Sequence, residues 1–167
     1  MFFVQSAEVV PCPCCNKGLD VVGSRKRIWF KRNGERAKLV IRRLNCERCR
    51  RIHHELPDLL VPYKRYDAES IEAALSESNY GDTAAEESTL SRWRAWFAVF
   101  AIHAVACLQS LALRFGKPVP NTAATSHSTL LALQQYIGDA PKWLSRVVCP
   151  IVNDNRWSTD PFCVSIR

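Results

Sequence analysis

The 167-residue sequence lacks the motifs of the most common enzyme families. It contains no P-loop, no GxSxG nucleophile segment and no HExxH metal-binding helix. Polynucleotidyl transfer would need carboxylates that hold two metal ions on a sheet scaffold, and the sequence after residue 62 predicts helices instead. We therefore predict that the chain is not an enzyme.

The best enzymatic fragment is His53-His54-Glu55, which in principle could bind a metal ion. Adjacent residues on a strand point to opposite faces, so the two histidines cannot share one ion without a bulge. Glu69 and Glu72 are predicted to be exposed charges on a helix. These residues leave the prediction of a non-enzymatic protein unchanged.

The opening residues, MFFVQSAEVVPC, show no basic segment followed by an apolar one, which is the pattern of a secretory leader. We expect a reducing, cytoplasmic location. Residues 95–113 are apolar over the length of a membrane span, but six of them are alanine, His103 lies at the middle, and apolar side chains recur at steps of three and four. This pattern predicts the central helix of a small bundle and no membrane partner.

Four of the eight cysteines form two pairs of identical spacing, Cys12-x2-Cys15 and Cys46-x2-Cys49. A C-x2-C turn directs two thiolates at one ion, so the two turns supply the four ligands of a structural Zn²⁺ site. Disulfides or four unrelated buried thiols are the alternatives. Cys14 is the one rival ligand, and we predict one zinc ion that it does not coordinate.

The residues between the two cysteine pairs predict a β-hairpin. Two segments of high β propensity, 28–30 and 39–41, flank Asn33-Gly34, which is a strong signal for a tight turn. A third strand is expected over 50–56, ended by Pro57, and residues 1–11 read as a lead-in strand. Asn16, just after the first pair, suits the left-handed conformation that such a turn needs. The sequence thus predicts a zinc ribbon over residues 1–62.

Residues 63–167 predict four helices, which makes the whole chain α+β. Asp67 is the expected N-cap of the first, over 68–78, and Thr83 with Glu86 has the form of a capping box for the second. The third should end at Ile137, and the fourth should run from Asp139 as N-cap to residue 148. The tail has no periodicity, and Trp157 and Phe162 are expected to cover the end of the bundle.

The first two predicted helices suggest a helix-turn-helix-like start, because the second opens with exposed Ser, Thr and Arg residues. The linker of about nine residues between them exceeds the three or four of the standard motif. A plain helical hairpin is therefore the alternative.

The positive charge is concentrated in the first part of the chain. Residues 1–66 hold 15 Lys and Arg against 6 Asp and Glu, a formal +9, whereas residues 67–167 hold 8 against 10, a formal −2. Such a module is expected to bind a polyanion, with a solvated basic surface as the alternative. The predicted phosphate contacts are Arg25, Lys26, Arg27, Lys31, Arg32, Arg42, Arg43, Arg48, Arg50, Arg51, Lys64 and Arg65. The predicted base-reading residues are Ser88, Thr89, Ser91, Arg92 and Arg94.

Several segments together resemble a family of short, uncharacterised bacterial proteins similar to the zinc-ribbon and helix-turn-helix front ends of insertion-sequence transposases. They are the CPCC segment at 12–15, RRLxCxxCxRIHHELPD at 42–58, VPYKRY at 61–66 and STLxRWRxWF at 88–97. The resemblance implies DNA binding linked to a mobile element, but no transposition, because the catalytic domain of a transposase is not found. Double-stranded DNA is thus the expected partner. A protein adaptor that docks on a larger nucleic-acid-processing complex and an RNA-binding protein are the alternatives.

Overall fold

A computed structural model of the chain describes residues 2–3, 9–76, 83–120, 128–157 and 163–166. The predicted α+β class is confirmed: a sheet whose first four strands come from the first third of the chain is followed by four helices. The elements are β1 (Phe2–Phe3), β2 (Asp20–Phe30), β3 (Arg36–Cys46), β4 (Arg51–Pro57), α1 (Ala68–Leu75), α2 (Glu87–Arg114), α3 (Thr129–Ile137), α4 (Trp143–Asn153) and β5 (Cys163–Ile166).

The sheet has β3 at its centre. Strand β2 pairs with β3 in antiparallel orientation along one edge. Along the other edge of β3, the short β1 pairs in parallel and β4 pairs in antiparallel orientation. The predicted Asn33-Gly34 turn is confirmed: Gly34 has a φ of 79°, and the Asn33 side chain accepts a hydrogen bond from the Glu35 N–H at 2.9 Å. The tail was predicted to be irregular, and this is wrong for β5, which pairs in parallel with β4.

The side of β3 that is buried changes along the strand. Ala37, Leu39 and Ile41 are buried near the hairpin turn, whereas Leu44 and Cys46 are buried at the other end. Successive side chains of a strand point to opposite faces, so this change of parity moves the buried side from one face to the other. One end of the sheet therefore carries a small apolar cluster, and the other carries the cysteine turns.

The four helices pack around a second apolar cluster, in which Ile71, Leu133, Leu144 and Val147 are fully buried. The expectation that Trp157 covers the bundle is confirmed, because its ring is buried 5.0 Å from that of Phe100. Phe162 lies outside the described residues.

Two predicted helix starts are wrong and one is confirmed. Asp67 caps α1 by accepting a hydrogen bond from the Ser70 N–H at 2.8 Å. Helix α2, however, begins at Glu87 with Glu86 at the cap position, so Thr83 does not form the predicted capping box. Helix α4 begins at Trp143 rather than near residue 139, and extends to residue 153.

The start of α4 is set by a residue distant in sequence. Glu72 of α1 was expected to be exposed, but it is buried, and its carboxylate accepts hydrogen bonds from the N–H groups of Leu144 at 2.7 Å and Lys142 at 3.2 Å. Burial raises the pKa of this carboxyl above its ordinary value, and the two N–H donors oppose that shift. A carboxylate at a helix N-terminus satisfies N–H groups that lack partners inside the helix.

The long helix α2 is apolar on two sides. Among the described residues it is the one helix that could cross a membrane by length and composition, and 39% of its most apolar 18-residue window is buried. Phe100, Ala104 and Leu108 face the core. Val99 and Ile102, in contrast, are 74% and 68% exposed, so the expected burial of residues 95–113 holds for one face of the helix.

The segment 58–68 joins the sheet to the helices through backbone contacts. The Phe30 N–H donates to the Arg65 carbonyl at 2.7 Å, and the Asp67 N–H donates back to the Phe30 carbonyl at 3.2 Å. Arg27 of β2 donates to the carbonyls of Val61 and Lys64, at 3.3 and 2.7 Å. The outer edge of β2 is therefore bound to the segment that leads into α1.

Replacing Glu72 by alanine is expected to cost about 1–2 kcal/mol of unfolding free energy, because the N–H groups of Leu144 and of the cap residue Lys142 lose their acceptor. Urea denaturation followed by circular dichroism measures this. Glu69→Ala is the matched control, since Glu69 is an exposed carboxylate on the same helix, and its loss should cost less than about 0.5 kcal/mol. Equal effects of the two substitutions would contradict the capping role.

Candidate metal centre and basic cleft

The four cysteines of the two C-x2-C pairs converge at the end of the sheet opposite the hairpin turn. The Sγ atoms of Cys12 and Cys49 are 3.4 Å apart, those of Cys15 and Cys46 are 3.4 Å apart, and those of Cys15 and Cys49 are 3.8 Å apart. Zinc–sulfur bonds of about 2.3 Å in a tetrahedron place sulfur atoms about 3.8 Å apart. The four sulfur atoms are therefore arranged to hold one metal ion.

The two turns have the same backbone form. The Asn16 N–H donates to the Cys12 carbonyl at 2.8 Å, and the Arg50 N–H donates to the Cys46 carbonyl at the same distance. Asn16 and Arg50 both have positive φ angles, of 59° and 54°. The predicted left-handed conformation at Asn16 is confirmed. Arg50 adopts the equivalent conformation although arginine is not favoured there.

A second group of ligand atoms overlaps the first. Cys12, Cys14, Cys49 and His53 offer donor atoms that lie within 4.8 Å of one another. His53 is fully buried on β4, and its Nε2 lies 3.5 Å from the Cys12 sulfur, while Arg51 donates to the Cys14 sulfur at 3.3 Å. Sequence analysis did not connect His53 to the cysteines. The sequence signal that could have indicated this contact is the position of His53, four residues after Cys49 on the strand that begins at residue 51.

The thiols have unlike acidities because their surroundings differ. The Cys49 N–H donates to the Cys46 sulfur and lowers the pKa of that thiol to about 6. Burial raises the pKa of Cys49 far above its ordinary value, and the other thiols raise it further. Burial also lowers the pKa of the His53 imidazole, with the positive charges of Arg51 and His54 acting in the same direction. A bound cation would favour the thiolate form at every cysteine that contacts it.

Several predicted phosphate contacts have structural roles. Arg42 forms a bidentate ion pair with Glu55, whose side chain is 1% exposed, and its Nε lies 2.6 Å from the carboxylate. Removing one member of such a pair leaves the other buried without its charge partner, at a cost of about 3–5 kcal/mol. Arg42 is therefore a poor probe of nucleic-acid binding, because its loss would act on stability.

The remaining basic residues divide by exposure. Lys31 pairs with Glu35 at 2.9 Å, Arg27 is bound to backbone carbonyls, and Arg32 and Arg43 are half-buried. The exposed members of the predicted set in residues 1–66 are Arg25, Lys26, Arg48, Arg50, Arg51 and Arg65.

Six basic residues of the sheet and of segment 63–65 line a cleft of about 830 Å³, which we call the basic cleft. His54, Tyr63 and three apolar residues also line it. Among the residues that the structure describes, no Asp or Glu does. Tyr63 is 57% exposed. The basic residues are Arg25, Lys26, Arg27, Arg36, Lys64 and Arg65. Arg36 was not among the predicted contacts.

The basic cleft adjoins the first turns of α2 through two aromatic contacts. Lys64 Nζ lies 4.2 Å from the centre of the Trp96 ring, and Tyr66 packs edge-on against Trp93 with ring centres 5.0 Å apart. Burial lowers the pKa of Lys64.

The predicted base-reading residues occupy the first two turns of this helix. Ser88, Ser91 and Arg92 are exposed, Thr89 is half-buried, and Arg94 pairs with Glu87 at 3.4 Å. The connection from α1 to α2 covers residues 76–86, which is longer than the turn of a standard helix-turn-helix.

Residues 12–93 match the model of a family described as a domain of unknown function (DUF6431). The match begins at Cys12, includes both cysteine pairs and all of the residues that line the basic cleft, and ends at Trp93 in α2. No curated protein and no solved structure matches the chain. The resemblance to transposase front ends stays a prediction.

Cys46→Ser is expected to abolish tight metal binding at the four-cysteine site, because a hydroxyl is a poor ligand for a soft, thiolate-bound ion. Elemental analysis of the purified full-length chain measures this. Cys107→Ser removes a thiol of α2 and should keep the full metal content. A Cys46→Ser protein with unchanged metal content would contradict the assignment.

Proposed function

We propose that the chain is a non-enzymatic, zinc-dependent DNA-binding protein whose basic cleft holds the phosphate backbone of a duplex. The observation that carries this proposal is the composition of the cleft: six Lys and Arg residues line one concave surface, and the described part of the chain places no Asp or Glu in that lining. A concave surface of one charge sign focuses the electrostatic potential, and Lys and Arg that neutralise phosphates release bound counterions.

Zinc is the metal that fits the four-cysteine site best. Four thiolates at tetrahedral spacing are typical of closed structural zinc sites, which have no free position for a substrate. The ion would hold the first cysteine turn against the β3–β4 hairpin. Its role is then to keep the sheet that carries the basic cleft in place.

Helix α2 is the proposed source of base recognition. Its exposed residues Ser88, Ser91 and Arg92 lie near the start of the helix. Trp93 and Trp96 of the same helix contact Tyr66 and Lys64 at the edge of the cleft. Phosphate contacts in the cleft would position the duplex, and an exposed helix start could then contact base edges. Arg94 is less suited than Arg92, because Glu87 engages it.

Two other functions have an observation in their favour. The exposed Tyr63 ring among basic residues suits stacking on an unpaired base, as in single-stranded RNA. The exposed Val99 and Ile102 on α2 suit a protein partner, as in an adaptor. Comparing the affinity for duplex DNA with that for single-stranded RNA separates RNA binding from the proposed DNA binding. Failure to bind either nucleic acid favours the adaptor.

The double substitution Arg25→Ala with Arg65→Ala is expected to weaken duplex binding and to reduce the salt slope of log K by up to about 2, because two exposed cleft charges are lost. Fluorescence anisotropy with a labelled random duplex across a salt series measures both quantities. The matched control is Lys38→Ala with Lys117→Ala, which removes the same charge from exposed positions outside the cleft. Equal loss in both double variants would show that net charge, and not the cleft, binds DNA.

Arg92→Ala is expected to cost about 1–3 kcal/mol on a preferred duplex and much less on random DNA. The preferred duplex is first obtained by selection from a random pool with the wild-type protein. Lys117→Ala serves as the control, since it removes an exposed charge far along the chain from the helix start. If Arg92→Ala weakens both duplexes equally, α2 does not read the sequence.

A further inference from the structure

We propose that the cysteine cluster holds two metal ions, bridged by the sulfur atoms of Cys12 and Cys49, in place of the single ion without Cys14 that the sequence predicts. The observation behind this is that the two groups of ligand atoms share these two cysteines. Cys15 and Cys46 complete one group, and Cys14 and His53 complete the other. The proposal rests on the four-cysteine ion of the proposed function and not on DNA binding.

The separation of Cys12 and His53 in the second group also fits two ligands of one tetrahedral ion. With a zinc–nitrogen bond of about 2.0–2.1 Å and a zinc–sulfur bond of about 2.3 Å, a nitrogen and a sulfur ligand lie about 3.5 Å apart. The Cys12 sulfur and His53 Nε2 are 3.5 Å apart. The shared Cys12 and Cys49 sulfur atoms are 3.4 Å apart, which suits the common edge of two tetrahedra.

A simpler explanation of His53 is that its N–H donates to a Cys12 thiolate, as residues around a metal site commonly do. That explanation leaves Cys14 without a role. The Cys14 sulfur lies within 4.8 Å of Cys12, Cys49 and His53, and Arg51 donates to it at 3.3 Å. An arginine donor stabilises a thiolate, which is the form that binds a metal.

The charge of the cluster also favours a second cation. Four thiolates with one dication leave two net negative charges, whereas five thiolates with two dications leave one. A second ion therefore makes the buried part of the cluster less costly to form.

The test is the metal stoichiometry of the full-length protein. Zinc is titrated into protein freed of metal under reducing conditions, and bound zinc is counted by native mass spectrometry. We expect two zinc ions for the wild-type chain and one for Cys14→Ser and His53→Gln. The controls are Cys107→Ser, a thiol outside the cluster, and His54→Gln, the neighbouring imidazole on β4, which should both retain two.

Cadmium-113 provides the readout of bridging. Two resonances split by coupling through shared sulfur atoms are expected for the wild-type protein, and one resonance is expected for Cys14→Ser. Since Cys14 is half-buried, its serine variant keeps the test open if His53→Gln fails to fold.

Every other outcome contradicts a specific part of the two-ion proposal. One zinc ion in both the wild type and Cys14→Ser overturns the second site and leaves the zinc ribbon intact. No bound zinc overturns both. Two ions without mutual coupling, or two ions retained in Cys14→Ser, overturn the bridged arrangement. Loss or retention of DNA binding does not enter this test, so the two proposals fail separately.

Discussion

The convergence of two cysteine turns at one end of the sheet is the constraint on which the N-terminal part depends. Strand β3 ends at Cys46 and β4 begins two residues after Cys49, so the second turn fixes how these strands pair. That register places Leu44 opposite His53 and Arg43 opposite His54. The histidines on opposite faces of β4 thereby reach different surroundings, one at the cysteines and the other in the basic cleft.

The elements that follow from local chemistry could be predicted from the sequence. The paired cysteine turns, the Asn33-Gly34 hairpin, the Asp67 cap and the end of α3 before Gly138 each depend on residues close together in the chain. Elements set by distant residues could not. Helix α4 starts where a carboxylate 70 or more residues earlier in the sequence meets its N–H groups, and β5 forms because β4 offers an edge that the tail can pair with.

The candidate site shows the same division. The four C-x2-C cysteines follow from spacing, whereas the partners of individual charges do not. Arg42, Arg27 and Lys31 read as free cations in the sequence, yet they contact Glu55, backbone carbonyls and Glu35. Strand pairing and loop packing decide which cations meet an acceptor, and neither is visible in a count of charges. Folding therefore leaves only part of the predicted basic series exposed, and three of the exposed residues, Arg25, Lys26 and Arg65, line one cleft.

The Arg27 guanidinium, which crosses from β2 to the carbonyls of Val61 and Lys64, fixes the separation of the two walls of the cleft. A cationic groove without such a tie would tend to widen, because its like charges repel one another, and a ligand would have to draw the walls together. Here the repulsion is already overcome within the folded chain. Under the proposed function, a polyanion that enters the groove would meet a preorganised set of charges, and the protein would lose less conformational entropy on association.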